Sequence, residues 1–361
     1  MASYTDLNIP RSTSTVTVKA MDLAAAGCSV PASWFFEPVL PGNDALRKLT
    51  IYAFLIEHPT QGRVLFDLGL RKDEAGFSPA IQAFGQQMRP NYGLAADDDA
   101  AGRLVAENVS LESVKAVIWR QVVFLMRVLG DMSTFPGSTD LVVGPGADLR
   151  TYPQYPEATL VESDTAGRTV TELSFKDTKL KIADLEAIDY FNDGSLYILN
   201  TPGHCLGHIC ALARTTSDSF VLLGGDICHH PGQLRPTTAI HKSYPCPFHI
   251  LDSAHKNVSP AHFTPHDSNG QFDLAHRTTP MFEICAANRP EYLEARESLR
   301  KATALDASPD ILTLAAHDTT VKGVIDEFPL SVNEWKEKGW KERVVWAFLE
   351  KESPAFIFEE E

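Results

Sequence analysis

Three short segments each carry a β-type run into a side chain that can hold a metal ion. Leu199-Asn-Thr-Pro-Gly-His204 closes on His204, Val221-Leu-Leu-Gly-Gly-Asp226 on Asp226, and Ile311-Leu-Thr-Leu-Ala-Ala-His317-Asp318 on His317. A strand holds its last side chain rigidly, and nearby glycines let backbone approach an ion closely. Imidazole and carboxylate together suit Zn²⁺ or a similar divalent cation. Any one of these residues alone reads more readily as a satisfied structural group. The three together, in this order, point to a site.

The histidine distribution narrows the search. Of twelve histidines only His58 precedes residue 200; the other eleven fall between His204 and His317. A site built on imidazole must draw on the second half of the chain. His229 and His230 follow Asp226 directly. They could line the pocket or bind a stray ion, but a hydrogen-bonding polar loop is the plainer reading. His241, His249, His262 and His266 lie in a Pro- and His-rich stretch, 231–266. A loop that long often shapes a substrate pocket; each histidine taken singly reads as a surface or satisfied residue. His208 reads as support for the loop after His204, and Asp67 as a residue that supports a ligand or the structure, not as a ligand itself.

The elements that must position these residues are short. An early strand is expected near Thr15–Lys19, then a hairpin of Leu49–Glu57 and Arg63–Asp67 around Pro59-Thr-Gln-Gly62. Residues 72–112 suit a helical insertion. Further strands are expected at Ala116–Trp119, Asp140–Gly144, Thr169–Phe175, Leu180–Ile182, Leu196–Asn200, Ile209–Arg214, Phe220–Gly224 and Asp310–Ala315. Helices are expected at Pro290–Ala304 and Val332–Lys351. Many short strands with helices before, between and after them suggest sheets covered by helices. The expected organisation is one domain over 1–361, with the 72–112 insertion and a C-terminal helical extension near 330–361.

Composition excludes several functions. The net charge of −15 offers nothing to a phosphate backbone or an anionic membrane surface. No run of eighteen apolar residues is present, and Met1 to Arg11 is polar, without an apolar signal core. The six cysteines include no Cys-x-x-Cys pair and read as buried, reduced residues, so the expected compartment is the cytoplasm.

On these residues the sequence resembles the metallo-β-lactamase superfamily, and within it the lactonase-like branch similar to N-acyl-homoserine lactonases. Phe66-Asp-Leu-Gly-Leu70 looks like the family's early strand-end motif. Thr201-Pro-Gly-His204 with Gly207-His208 looks like its third metal motif, Gly224-Gly-Asp226 like its bridging carboxylate, and Ala316-His317-Asp318 like its last ligand. The resemblance runs from about residue 50 to residue 320. It implies an α+β fold, the four-layer αββα sandwich. It also implies Zn²⁺ held by His204, Asp226 and His317, and a small-molecule substrate. The implied reaction opens a lactone, lactam or related ester or amide by metal-bound hydroxide. His204 would serve one ion, His317 the other, and Asp226 both.

The sequence departs from the pattern at one place. The family's His-x-His-x-Asp-His motif would follow Ala116–Trp119. Residues 120–129 read Arg-Gln-Val-Val-Phe-Leu-Met-Arg-Val-Leu, with no His and no Asp. The flanks, Val117-Ile-Trp119 and Gly130-Asp131-Met-Ser-Thr-Phe-Pro136, still fit. Each ion would keep two protein ligands, so weak binding of at most one ion is expected. The alternative to an active hydrolase is a catalytically impaired relative that binds a small molecule. Intact flanks around an altered stretch would also follow from an altered reading frame or splice boundary.

Overall fold

In the computed structural model, residues 4–24, 29–38, 46–88, 96, 98–119, 130–247, 249–250, 278–286 and 291–350 are described, with the backbone alone at 46–48 and 88. Residues 120–129, His262 and His266 lie outside the described residues, as do the first residue of the expected helix at 290 and the last of the terminal one at 351.

Strand residues here are buried on both faces, because each sheet lies between another sheet and a helical layer. Tyr52–His58 shows it: its first five residues, Tyr-Ala-Phe-Leu-Ile, are all buried. One six-stranded sheet contains β1 (Thr17–Asp22), β2 (Tyr52–His58), β3 (Gly62–Phe66), β4 (Val114–Trp119), β5 (Asp140–Val143) and β6 (Val170–Glu172), in that order. The pairs β1–β2 and β2–β3 are antiparallel, and β3 to β6 run parallel. The second sheet orders β7 (Lys181–Ile182), β8 (Leu185–Asp189), β9 (Leu196–Asn200), β10 (Ile209–Arg214), β11 (Phe220–Gly225) and β12 (Ile311–Ala315). It is antiparallel throughout except for the parallel pair β11–β12.

Between the sheets Phe54, Phe66 and Ile118 meet Ile198, Ala211, Leu223 and Leu314 in one core. On the outer face of the first sheet, Leu55, Leu65 and Val117 pack with Leu104 of α2 (Ala100–Ala106), and Ile81 of α1 (Pro79–Met88) joins them. On the outer face of the second, Leu199, Leu212 and Leu222 pack with Ala295, Leu299 and Leu305 of α3 (Tyr292–Asp306). The layers run helix, sheet, sheet, helix, as the resemblance implied. A separate apolar cluster, including Phe35, Phe36, Phe282, Trp346 and Phe348, brings the N- and C-terminal segments together.

The segment expected as a helix over Val332–Lys351 is different. It is a succession of turns with a short helix at Trp340–Val344 and a 3₁₀ turn at Ala347–Leu349. Gly339 in the left-handed region (φ 61°) interrupts helical continuity, and the tryptophans are buried in two different clusters. No helix among the described residues is long and apolar enough to cross a membrane.

Candidate metal centre

β9 and β11 both run antiparallel to β10, and β12 runs parallel to β11. All three therefore end at the same edge of the sheet, and the loops leaving them carry His204, Asp226 and His317. Beside this edge the Ala316 N–H donates to the Gly225 carbonyl (2.9 Å), and the Tyr52 N–H to the Ala316 carbonyl (3.2 Å). The second of these bonds ties the two sheets together.

Asp226 is the centre of the site, with its carboxylate fully buried. His204 Nε2 lies 3.2 Å from Asp226 Oδ2, and His317 Nε2 lies 3.0 Å from Oδ1. His229 Nε2 lies 4.0 Å from Oδ1. One donor atom each from His204, Asp226 and His229 falls within 4.8 Å of the others. The expected trio is thus brought together, and a fourth residue joins it.

Two histidines have their tautomers set by their partners. His317 Nδ1 faces the Thr50 carbonyl at 2.8 Å. A carbonyl only accepts, so Nδ1 carries the proton and Nε2 is left as the metal-binding nitrogen. That nitrogen and Asp226 Oδ1 then oppose lone pair to lone pair, an attractive arrangement only with a proton or a metal ion between them. His208 Nδ1 donates to the Thr201 carbonyl (2.9 Å), and its Nε2 accepts the Asp226 backbone N–H (3.1 Å). Both of its nitrogens are committed, so His208 supports the loop after His204.

His229 is the residue that sequence reasoning placed in a plain polar loop. The Ile227 N–H donates to the Gly224 carbonyl (3.0 Å) and folds the chain back over the strand end. Gln233 Oε1 then accepts the N–H groups of His229 (2.7 Å) and His230 (3.1 Å). The Phe35 ring stacks on His229 with centroids 4.3 Å apart. Asp226 and His229 lie three residues apart in a turn, and that spacing was the one available signal. His230 turns the other way, capping the Pro231–Gln233 turn through Nδ1 and packing against Phe36 and Phe282. His241 stacks on Trp346, and His249 is exposed beside Glu350. Asp67 has φ 68°, and its carboxylate accepts the Leu68 N–H (2.7 Å).

Gly203 holds the first ligand loop against α3. Its φ is 120°, and a Cβ there would lie 2.0 Å from the Ala295 nitrogen. A cavity of about 10 Å³ opens beside His204, Asp226 and His229, walled by Pro202, Ile284 and Ser298. That is room for about one water or ion. Ligands at 2.0–2.1 Å around a tetrahedral zinc stand about 3.3 Å apart, close to the spacings of His204 and His317 from Asp226 and shorter than the 4.0 Å of His229. The donors present fit a divalent cation.

Two helix-covered sheets with imidazoles and a carboxylate gathered at one strand-end edge define a metallo-hydrolase fold. Comparison with known proteins agrees. A metallo-hydrolase of Annulohypoxylon moriforme is 35% identical over 361 residues, 97% of this chain and 90% of that protein. A γ-lactamase of Fusarium pseudograminearum is 35% identical over 365 residues, 94% of this chain and 83% of that protein. A cytochrome P450 monooxygenase of Penicillium roqueforti is 38% identical over 357 residues, 95% of this chain; the chain spans 38% of that relative's length. Among solved structures, an N-acyl homoserine lactone hydrolase with N-hexanoyl-L-homoserine at its catalytic metal centre superposes with TM-score 0.54 at 15% identity. The match covers 88% of this chain and all of that one. No protein-family model matches the chain. The chain belongs to the metallo-β-lactamase superfamily.

Proposed function

We propose that this protein is a metal-dependent hydrolase that opens a lactone, lactam or related ester or amide. One observation carries the reading: His204, Asp226 and His317 leave three strands of one sheet and meet around a buried carboxylate. The lactonase neighbours and the γ-lactamase relative act on the bond classes named. Here His204, Asp226 and His317 would hold the ion. A bound divalent ion supplies Lewis-acid polarisation and lowers the pKa of water from about 15.7 towards about 7. The chain's own residues do the rest. His208 fixes the backbone from which Asp226 projects, the Thr50 carbonyl selects the His317 tautomer, and Phe35 backs the imidazole wall. Pro202 and Ile284 wall the narrow cavity.

A second reading rests on residues 120–129, which lack every ligand of the family's first motif. In it the chain keeps the pocket and binds a small molecule without turning it over. Metal content of the purified chain, with and without added zinc, combined with hydrolysis of γ-lactams and acyl-homoserine lactones, separates the two. Retained metal with turnover supports the hydrolase. Metal-free protein that still binds the ring compounds, unchanged, supports the second reading.

The proposal includes one folding unit over 1–361, supported by contacts between its distant ends such as Val18 N–H to Asn333 Oδ1 at 2.9 Å. It includes the cytoplasm as compartment, which cysteines without any Cys-x-x-Cys pair favour. A small molecule is its partner, and the charge of −15 argues against nucleic acid and anionic membrane.

A further inference from the structure

The site contains one more imidazole than the metal motifs predicted. We infer that His229 is a metal ligand, and that His204, Asp226, His229 and His317 form a single-ion site complete without any residue of 120–129. This rests on the reading of the cluster as a metal centre and adds to it the ligand set and the stoichiometry.

Three observations support it. His204, Asp226 and His229 converge within 4.8 Å with no contribution from the first sheet; His317 lies outside that trio and reaches it at Asp226 Oδ1, 3.0 Å away. His317 is wholly buried, and its Nε2 makes no hydrogen bond while facing the same carboxylate oxygen as His229. His229 is also held in place: Gln233 fixes its backbone, Phe35 covers one ring face, and the His317 ring lies nearly parallel at 5.5 Å. A surface loop histidine needs none of this. Residues 120–129 contain no His, Asp, Glu or Cys. A second ion would therefore lack donors from the segment where the family keeps them. Three imidazoles and one carboxylate satisfy one zinc or cobalt ion.

The test uses the full chain, stripped with chelator and reloaded with Zn²⁺ or Co²⁺. Elemental analysis should find one ion per chain. X-ray absorption of the zinc form should count three imidazole ligands. His229→Ala should weaken the ion about ten-fold or more and drop that count to two. His229→Cys, which supplies a thiolate, should restore stoichiometry and change the Co²⁺ absorption spectrum. His249→Ala, at an exposed position away from the site, should change nothing. One ion retained at full affinity in His229→Ala, but lost in His204→Ala, would overturn the role of His229 and leave the metal-centre reading standing. Two ions per chain would overturn the single-ion site and leave the hydrolase reading standing. No ion at saturating zinc would remove both. If His229→Ala does not fold, the imidazole count on the unmodified chain decides: two imidazoles overturns the inference and three upholds it.

Discussion

His208 accepts the backbone N–H of Asp226 on one ring nitrogen while donating from the other to the Thr201 carbonyl. The ring is a strut between the loop that carries His204 and the strand end that carries Asp226. His208→Ala strands a buried N–H and a buried carbonyl, which costs about 2 kcal/mol or more. Metal affinity should fall 10- to 100-fold. Denaturant unfolding of the metal-free protein and a zinc titration read the two effects separately. Unchanged affinity would mean that the strut does not position the carboxylate.

Gly203 is constrained by both backbone and space. Gly203→Ala must adopt φ near 120° and place a Cβ 2.0 Å from the Ala295 nitrogen. The strain alone costs about 1–3 kcal/mol, and relieving the clash moves the loop away from α3. Reduced thermal stability should come with reduced zinc binding, because His204 is the next residue. A variant as stable as the parent with full metal content would contradict this.

At the other end of β9, Asp193 joins two hairpin turns. Burial pushes its carboxyl up, but hydrogen bonds from Ser195 and His58 outweigh that and hold it down at about 2. His58 Nε2 lies 2.8 Å from Asp193 Oδ2, and Ser195 Oγ donates to Oδ1 at 2.6 Å. A carboxyl depressed in the folded state stabilises it fully above the unfolded pKa of about 3.9, and the gain is lost as pH falls through the folded value. The window is therefore about pH 4 down to about 2. The side chain keeps some exposure, so the contribution is at most about 2 kcal/mol. Asp193→Asn should flatten the acid limb of the stability curve in that window, and a limb of unchanged slope would count against it.

Arg235 and Asp306 form a buried, two-pronged pair at 2.7 Å on both arms, and Arg235 also donates to the Val345 carbonyl at 3.0 Å. This ties the end of α3 to the C-terminal segment behind the aromatic cluster. Asp306→Ala leaves a guanidinium buried without its carboxylate, at a cost of about 3–5 kcal/mol. Equilibrium unfolding in urea should show the loss as a lower midpoint with little change in slope. A loss below about 1 kcal/mol would mean that water reaches the pair.

The strands were the most legible part of the sequence, because β-branched and aromatic runs bounded by Gly, Pro and Asp leave few alternatives. Leu196–Asn200 and Ile209–Arg214 fall where they were expected. The terminal segment was misread as one helix against which the tryptophans at 335, 340 and 346 could pack. In the fold Trp335 and Trp340 face the inter-sheet core, while Trp346 packs in the other cluster. In the candidate site, the convergence of His204, Asp226 and His317 was legible from strand-end position. His229 was not, because its place depends on a turn fixed by Gln233 and on a ring supplied by Phe35, nearly two hundred residues earlier. No local pattern encodes either.

The bond from His317 to the Thr50 carbonyl spans 267 positions of sequence. Contacts that distant form late, since the loop-closure entropy must be met before they add any stability. A cation bound at this site would therefore arrive at a nearly finished structure and act as a latch on the native state, not as a nucleus for folding. Zinc should slow unfolding and leave the refolding rate unchanged, which stopped-flow measurements with and without the ion would show; faster refolding with zinc would reverse that order of events.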